Sequence, residues 1–248
     1  MELVPGPTHR TALVLSAGGM FGAYQAGAWK ALERRFQPDM VIGASVGALN
    51  GWAIAGGCSG EELVRQWLDP NTASLLKLRF PGRLDPRPLD RLARELFRRY
   101  QPRIPFAATL VEVPRLRLRL VRGEEMTWQH LVAACSIPVA LPAVRLNGRH
   151  YVDGGLLGAL PVWAAAGMGA TRVIAINALP EMPSRLVRVA VGAVRRFRPA
   201  AALPPGLEVL TVTPHNPMGQ LRDIVFWQAE NVRRWIAAGE RDTAAAFH

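Results

Sequence analysis

The sequence has few cysteines and no long uninterrupted apolar segment. Only two of its 248 residues are cysteines, Cys58 and Cys135, and neither has a second cysteine or a histidine at metal-ligand spacing. No metal site is therefore predicted, and we expect reduced thiols in a cytoplasmic protein. The longest apolar stretches, around 11–31 and 157–169, are interrupted by glycines and are too short to span a bilayer. Any membrane contact is expected to be peripheral.

Acidic residues are scarce relative to basic ones. The chain has 19 Asp and Glu against 30 Lys and Arg, a net charge of +11, which predicts attraction to polyanions such as acidic lipids. Segment 77–122 carries much of the excess. A second basic stretch, 185–198, has the composition of an amphipathic helix at a membrane interface, although a core-facing helix with a basic edge is the favoured interpretation. The sequence shows no zinc module, RNA-binding aromatic signature or recognition helix, so no specific nucleic-acid partner is expected.

The chain reads as one α/β domain over 1–248, because no low-complexity stretch divides it. The first residues lack an apolar run of signal-peptide length. Strands are predicted over 12–16, 39–42, 106–113, 116–121, 172–177 and 207–212, and helices over 23–36, 48–55, 59–68, 88–100, 127–135, 161–168 and 220–238. This order predicts a three-layer sandwich, in which helices cover both faces of a mostly parallel central sheet with an antiparallel portion at one side.

A Gly-x-Ser-x-Gly motif follows the second predicted strand. It consists of Gly43, Ser45 and Gly47, and a helix is predicted directly after it. This is the nucleophile-elbow pattern, in which a sharp turn exposes the serine hydroxyl and small neighbours avoid collisions. The motif alone arises often by chance, and its position between a strand and a helix is what favours a nucleophilic Ser45.

A glycine-rich loop, 16–22, follows the first predicted strand. Backbone N–H groups of such a loop can converge on an anion, as an oxyanion hole requires. The same loop is one residue short of the Gly-x-Gly-x-x-Gly pattern of dinucleotide-binding folds, but the acidic residue expected about 20 positions later is not clearly present.

Asp153 lies at a predicted strand end, immediately before Gly154 and Gly155. A carboxylate there can accept a proton from a serine hydroxyl if partial burial raises its basicity. An aspartate that merely stabilises a turn is the simpler interpretation of this segment alone. A Ser-His-Asp triad is a further alternative, with His215 the candidate by chain order among His9, His130, His150, His215 and His248.

Together, the glycine loop, the elbow and the Asp-Gly-Gly segment resemble those of the patatin-like phospholipases, in the same order. The resemblance extends through 133–138 and Leu141-Pro142 and covers roughly 12–177, whereas 178–248 is only weakly matched. It implies Ser45 as nucleophile, Asp153 as general base, and backbone N–H groups of Gly18, Gly19 and Met20 as oxyanion donors. Two positions depart from the family's pattern: Ala17 replaces the usual first glycine, and Phe21 the usual Arg or Lys.

The resemblance further implies a lipid acyl ester hydrolase of phospholipase A or lysophospholipase type, which uses a Ser-Asp dyad and an acyl-enzyme intermediate. It implies no metal or cofactor. The expected partners are a phospholipid or other acyl ester and an anionic membrane at the cytoplasmic face. Two alternatives remain: a nucleotide-binding module built on the glycine loop, and a catalytically silent protein that binds membrane surfaces.

Overall fold

The protein's computed structural model describes residues 9–71, 78–79, 83–138, 140–180 and 202–247. The strands are β1 (Thr11–Leu15), β2 (Met40–Ala44), β3 (Leu78–Arg79), β4 (Arg83–Leu84), β5 (Phe106–Val113), β6 (Arg117–Arg122), β7 (Val144–Leu146), β8 (Arg149–Asp153), β9 (Arg172–Ile176) and β10 (Glu208–Val212). The helices are α1 (Gly22–Leu32), α2 (Val46–Ala55), α3 (Gly60–Leu68), α4 (Arg87–Arg99), α5 (Trp128–Ala134), α6 (Val162–Gly167) and α7 (Ala229–Ala246).

The central sheet is mixed and has the strand order β10-β9-β1-β2-β5-β8-β7. Strands β10, β9, β1, β2 and β5 run parallel to one another. Beyond them, β8 and β7 are antiparallel additions, and β6 forms a hairpin with β5. The predicted α/β architecture, with a parallel centre and an antiparallel portion at one side, is confirmed.

Helices cover both faces of the sheet because its central strands are apolar on both sides. Leu13 and Leu15 of β1 point into the larger core, which contains α1 to α5 and α7. Ala12 and Val14 point into the smaller core, which contains α6. Strands buried on both faces read as continuous apolar runs, which explains why these strands were recognisable in the sequence.

The closing helix differs from its prediction over 220–238. A short 3-10 turn occupies Leu221–Ile224, and its Asp223 carboxylate accepts the Gln220 backbone N–H over 2.7 Å. Gln228 is extended, so α7 begins only at Ala229 and continues to Ala246. The predicted boundary was therefore wrong, because the extended backbone at Gln228 separates the capped turn over Leu221–Ile224 from α7. The predicted basic helix over 185–198 lies outside the described residues.

Helix α7 packs closely against α1 through two glycines. A Cβ atom at Gly27 would overlap the carbonyl of Ile236, and a Cβ atom at Gly239 would overlap the carbonyl of Tyr24. The backbones can approach to this distance only because both side chains are absent. The C-terminal helix thereby completes the layer that contains α1, the helix that follows the glycine loop.

Candidate active site

The Gly43-x-Ser45-x-Gly47 motif forms a sharp turn between β2 and α2. Ser45 has φ 54° and ψ −129°, a conformation that a non-glycine residue adopts only at a cost of roughly 1–3 kcal/mol. A Cβ atom at Gly43 would overlap the Gly47 carbonyl oxygen, and one at Gly47 would lie 2.5 Å from the Leu15 carbonyl oxygen. The two glycines thus leave room for a turn that presents the Ser45 side chain at the sheet's carboxyl edge.

One edge of β5 brings Ser45 and Asp153 together. Ala44 of β2 pairs with Thr109, and Asp153 of β8 pairs with Leu110, the next residue of β5. Because β6 occupies the other edge of β5, the parallel β2 and the antiparallel β8 share this edge and run towards each other. Their carboxyl ends meet, so the residues at the two ends become neighbours although 108 positions separate them in the chain.

Asp153 is buried and its acidity is reduced. Its side chain accepts the backbone N–H of Gly155 over 2.7 Å, and the residue is only 6% exposed. Burial raises the pKa of Asp153 from the ordinary 3.8 to about 6, against the opposing effects of the Ser45 side chain and the Gly155 N–H. At neutral pH the carboxylate is charged, in contact with Ser45 and basic enough to accept a proton.

The glycine loop lies beside the elbow. Gly19 has φ 54°, and a 3-10 turn over Gly19–Phe21 follows the extended Gly18. The backbone N–H groups of Gly18, Gly19 and Met20 have no acceptor among the residues that the structure describes. Gly19 and Met20 also line the cleft that Ser45 lines. Free N–H groups beside a nucleophile are the arrangement that stabilises an oxyanion.

The two departures from the family's pattern have different structural outcomes. Ala17 donates its backbone N–H to the Ala159 carbonyl over 2.8 Å, which joins the loop to the segment after Asp153. Phe21 is buried, and its ring meets that of Trp235 edge-on at 4.9 Å. Phe21 is therefore a core contact for α7, and its side chain is not among those found to line the cleft.

Cys135 is a site residue that the sequence analysis did not identify. Its thiol interacts with Ser45 and Asp153, and it lines the same cleft. Burial, and secondarily the nearby Asp153 charge, raise the pKa of the Cys135 thiol. The thiol is thus a neutral, weakly polar neighbour of the dyad. A lone cysteine without metal-ligand spacing offered no sequence signal for this position.

A buried hydrogen-bond network supports the glycine loop and was also missed. The Gln25 side-chain amide donates to the Ser16 carbonyl over 2.7 Å. The Asn50 side chain donates to the Gly22 carbonyl over 3.0 Å and to Gln25 Oε1 over 2.9 Å. Trp67 Nε1 then donates to Asn50 Oδ1 over 3.1 Å. The carbonyl groups at both ends of the loop therefore accept hydrogen bonds from side chains of α1 and α2.

An apolar cleft lies beside Ser45, with a volume of about 780 Å³ that includes some open solvent. The described residues that line it are Gly19, Met20, Ser45, Val46, Leu49, Asn50, Ala53, Leu63, Gln66, Trp67, Leu89, Leu92, Leu96, Cys135 and Ile137. Its predominantly apolar lining is typical of a small-molecule site.

No described histidine lies at the dyad. His215 is exposed, and its backbone N–H donates to the Asp242 carboxylate on α7. His130 caps α5 through Thr127, and His150 lies on β8 opposite Val113. His248 lies outside the described residues. Within the described ranges, no group of His, Cys, Asp and Glu side chains is arranged to hold a metal ion, and no helix is long and apolar enough to cross a membrane.

The chain is similar in sequence to proteins of one family. A family model described as patatin-like phospholipase matches residues 13–166. Patatin-like phospholipase domain-containing protein 6 of Homo sapiens is 29% identical over 180 residues, and protein 7 of Rattus norvegicus is 28% identical. Each alignment covers 67% of this chain but only 13% of the relative, so the chain matches a small part of these longer proteins.

Among solved structures, VipD from Legionella pneumophila is similar in fold. The superposition has a TM-score of 0.64 at 12% sequence identity and covers 97% of this chain and 67% of VipD. At this identity the likeness concerns the fold alone. It extends across the C-terminal part of the chain, which the family model does not reach.

Proposed function

Because the chain belongs to the patatin-like phospholipase family, we propose that it hydrolyses lipid acyl esters with a Ser45–Asp153 dyad, as a phospholipase A or lysophospholipase. The observation that carries the proposal is the meeting of Ser45 and Asp153 at one edge of β5, beside a glycine loop whose Gly19 and Met20 line the same cleft. A cleft-lining hydroxyl on a strained backbone turn, next to a buried carboxylate of raised pKa, is suited to acyl transfer.

The first half-reaction forms an acyl-enzyme. Asp153 accepts the proton of Ser45 Oγ as this oxygen attacks the ester carbonyl. When the tetrahedral intermediate collapses, the carbon–oxygen bond to the alcohol breaks, and the proton held by Asp153 passes to the departing alkoxide. The acyl group then remains on Ser45.

The second half-reaction releases the acid. Water attacks the acyl carbonyl while Asp153 accepts one of its protons, and that proton returns to Ser45 Oγ as the enzyme is regenerated. In both halves, the negative charge on the former carbonyl oxygen faces the N–H groups of Gly18, Gly19 and Met20. One such donor contributes a factor of about 10²–10³ in rate.

The test compares wild type with Ser45→Ala and Asp153→Asn. Each protein is assayed on fluorescent phospholipids, lysophospholipids and chromogenic acyl esters, and each is labelled with a fluorophosphonate. We expect turnover and labelling on Ser45 only in wild type, and loss of turnover in both variants. Equal behaviour of the three proteins would refute the dyad, and the relative turnover of phospholipids and lysophospholipids by wild type separates the phospholipase from the lysophospholipase activity.

Peripheral contact with an anionic membrane is a second element of the proposal. The exposed face of α4 carries Arg91 and Arg98, and the β5–β6 hairpin carries the exposed Arg115 and Arg117. Exposed arginines attract anionic head groups. We expect the protein to co-sediment with vesicles that contain phosphatidylserine, less so at high salt, and not with phosphatidylcholine vesicles. Unchanged vesicle binding by a Ser45→Ala variant, together with a wild type that lacks turnover, would favour the silent membrane-binding protein instead.

A further inference from the structure

The cleft follows one face of α2 away from Ser45. Val46, Leu49, Asn50 and Ala53 line it, and their spacing places them on a single side of the helix. Ser45 lies at the amino end of this row and Ala53 two turns further along. The cleft therefore has a direction, which leads from the nucleophile towards the carboxyl end of α2.

Helices α3 and α4 form the remaining walls. From α3, Trp67 lies at the Ser45 end of the cleft because it contacts the space beside Gly22, where Val46 also packs. Leu63 lies one turn earlier in α3 and therefore nearer the far end. From α4, Leu89, Leu92 and Leu96 line the cleft. Most of the wall is aliphatic, which suits a hydrocarbon chain and disfavours a polar ligand.

The far end of the cleft carries a polar cluster. The Gln66 side chain, which lines the cleft, donates to the Tyr100 hydroxyl, and this hydroxyl donates to the Glu62 carboxylate over 2.8 Å. Tyr100 packs directly against Gly56, at the carboxyl end of α2. A hydrocarbon chain that reached this cluster would desolvate polar groups without a new partner, at a cost of roughly 1–3 kcal/mol.

We propose that this cleft binds the acyl chain of the ester, extended along α2, and that Ala53 sets the length of chain that fits. The inference rests on the proposed hydrolase function and adds a substrate class to it. Ser45 and Ala53 are separated by about 12 Å of helical rise, which an extended chain of roughly nine or ten carbons spans. The preferred substrates are then medium-chain esters.

Ala53 is the position at which chain length is decided because it has the smallest side chain of the cleft-lining residues on α2. A leucine there would fill the far end. Leu63 provides the opposite change, because its truncation to alanine would lengthen the space. The two substitutions are therefore expected to move the preferred chain length in opposite directions.

The experiment measures kcat/KM for p-nitrophenyl butyrate, octanoate, decanoate, laurate and palmitate with wild type, Ala53→Leu and Leu63→Ala. Ala55→Leu is the matched control, since it adds the same volume to a buried position of α2 that is not among the lining residues. For Ala53→Leu we expect a fall of at least about tenfold on decanoate with butyrate largely retained. For Leu63→Ala we expect the optimum to move to laurate or longer, and for Ala55→Leu an unchanged profile.

A chain-length profile that is identical in wild type, Ala53→Leu and Leu63→Ala overturns the inference. If Ala53→Leu does not fold, the shift expected for Leu63→Ala decides the question alone. A second readout separates this inference from the hydrolase proposal: decanoate binding to Ser45→Ala, measured by calorimetry, and its loss in Ser45→Ala/Ala53→Leu. If wild type binds decanoate but cleaves no ester, the hydrolase proposal is refuted and the acyl site is supported. If Ser45→Ala does not bind decanoate, the acyl site is contradicted.

Discussion

The backbone N–H of Gly155 donates to the Asp153 carboxylate over 2.7 Å, two residues after the strand that carries the aspartate. This bond and the Ser45 side chain favour the charged form of the carboxylate, while burial favours the neutral form and has the larger effect. The resulting pKa of about 6 lies close to the working pH of most cells. A general base is most effective when its pKa lies near the pH at which the enzyme works.

The first prediction concerns the pH dependence of the rate. Only the charged carboxylate accepts the proton of Ser45, so we expect kcat/KM to rise with pH through about 6 and to level off above it. Hydrolysis of p-nitrophenyl butyrate should be measured from about pH 5 to 8, with circular dichroism at each pH to show that the protein stays folded. A rate that is independent of pH over this range would contradict Asp153 as the base.

The second prediction concerns the stability of Asp153→Asn. The folded state raises the pKa of Asp153 from 3.8 to about 6, so it binds the proton more tightly than the unfolded state does. The stabilising contribution of the protonated form is complete below about pH 4 and is lost as pH rises through about 6. We therefore expect the variant to be more stable than wild type at pH 8 by about 1–3 kcal/mol, and this advantage to shrink at pH 4.

Urea unfolding at both pH values measures this difference. A variant that is less stable than wild type at pH 8 would show that the Gly155 and Ser45 contacts outweigh the burial of the charge. We therefore expect the variant to lose activity and gain stability, because burial of the Asp153 charge serves the reaction but destabilises the fold.

The third prediction concerns Asn50, which we expect to position the glycine loop. Its side chain holds the Gly22 carbonyl and orients Gln25, whose amide holds the Ser16 carbonyl. For Asn50→Leu we expect kcat to fall by about 10²-fold with a much smaller change in KM, because the oxyanion donors lose their alignment.

The control for Asn50→Leu is Trp29→Phe, which removes a buried N–H bond to the Cys58 carbonyl but touches no part of the loop. It should cost comparable stability and leave kcat unchanged. Gln25→Leu should reproduce the effect of Asn50→Leu, and the double variant should be less than additive because both act through one network. Additive losses, or an equal fall in kcat for Trp29→Phe, would indicate general destabilisation rather than positioning.

The fourth prediction concerns the contact between α1 and α7. A methyl group at position 239 would overlap the Tyr24 carbonyl, so we expect Gly239→Ala to lower the free energy of unfolding by about 1–3 kcal/mol. Gly167→Ala is the matched control, because an added Cβ meets nothing within 4 Å there and alanine favours a helix by roughly 0.5–1 kcal/mol. Thermal unfolding of both variants should show opposite shifts. Equal shifts would mean that the helices do not approach as closely as described.

Much of the fold was predictable from local patterns. The helix predicted over 59–68 begins with Ser59 as its cap, whose hydroxyl accepts the Glu62 N–H over 3.2 Å. The strand over 106–113 has the predicted bounds, because its apolar run is buried along nearly its whole length. The closing helix was misplaced, since nothing in the periodicity of 220–238 shows that Asp223 would cap a separate turn.

The candidate site divides in a similar way. The glycine motifs, together with their resemblance to the family's pattern, pointed to Ser45, Asp153 and the glycine loop, because tight turns leave a glycine signature in the sequence. Cys135 and the pair Gln25 and Asn50 left no such signature, since a lone thiol after a helix, or an amide within one, looks like any other residue of the core. In the sequence, Phe21 is only a departure from the family's usual Arg or Lys, and the structure shows that its ring packs against Trp235.

The sequence by itself determined the strands, the turns and the types of residue available for chemistry. Glycines mark the tight turns and apolar runs mark the buried strands, and both signals come from residues that are neighbours in the chain. Only the tertiary structure decided that β2 and β8 share one edge of β5, so that Ser45 meets Asp153. It also decided that this carboxylate is buried and its pKa raised, and that α2, α3 and α4 enclose a cleft. These properties depend on pairings between distant segments and on the exclusion of water from between them, and neither is encoded in any short stretch of the chain.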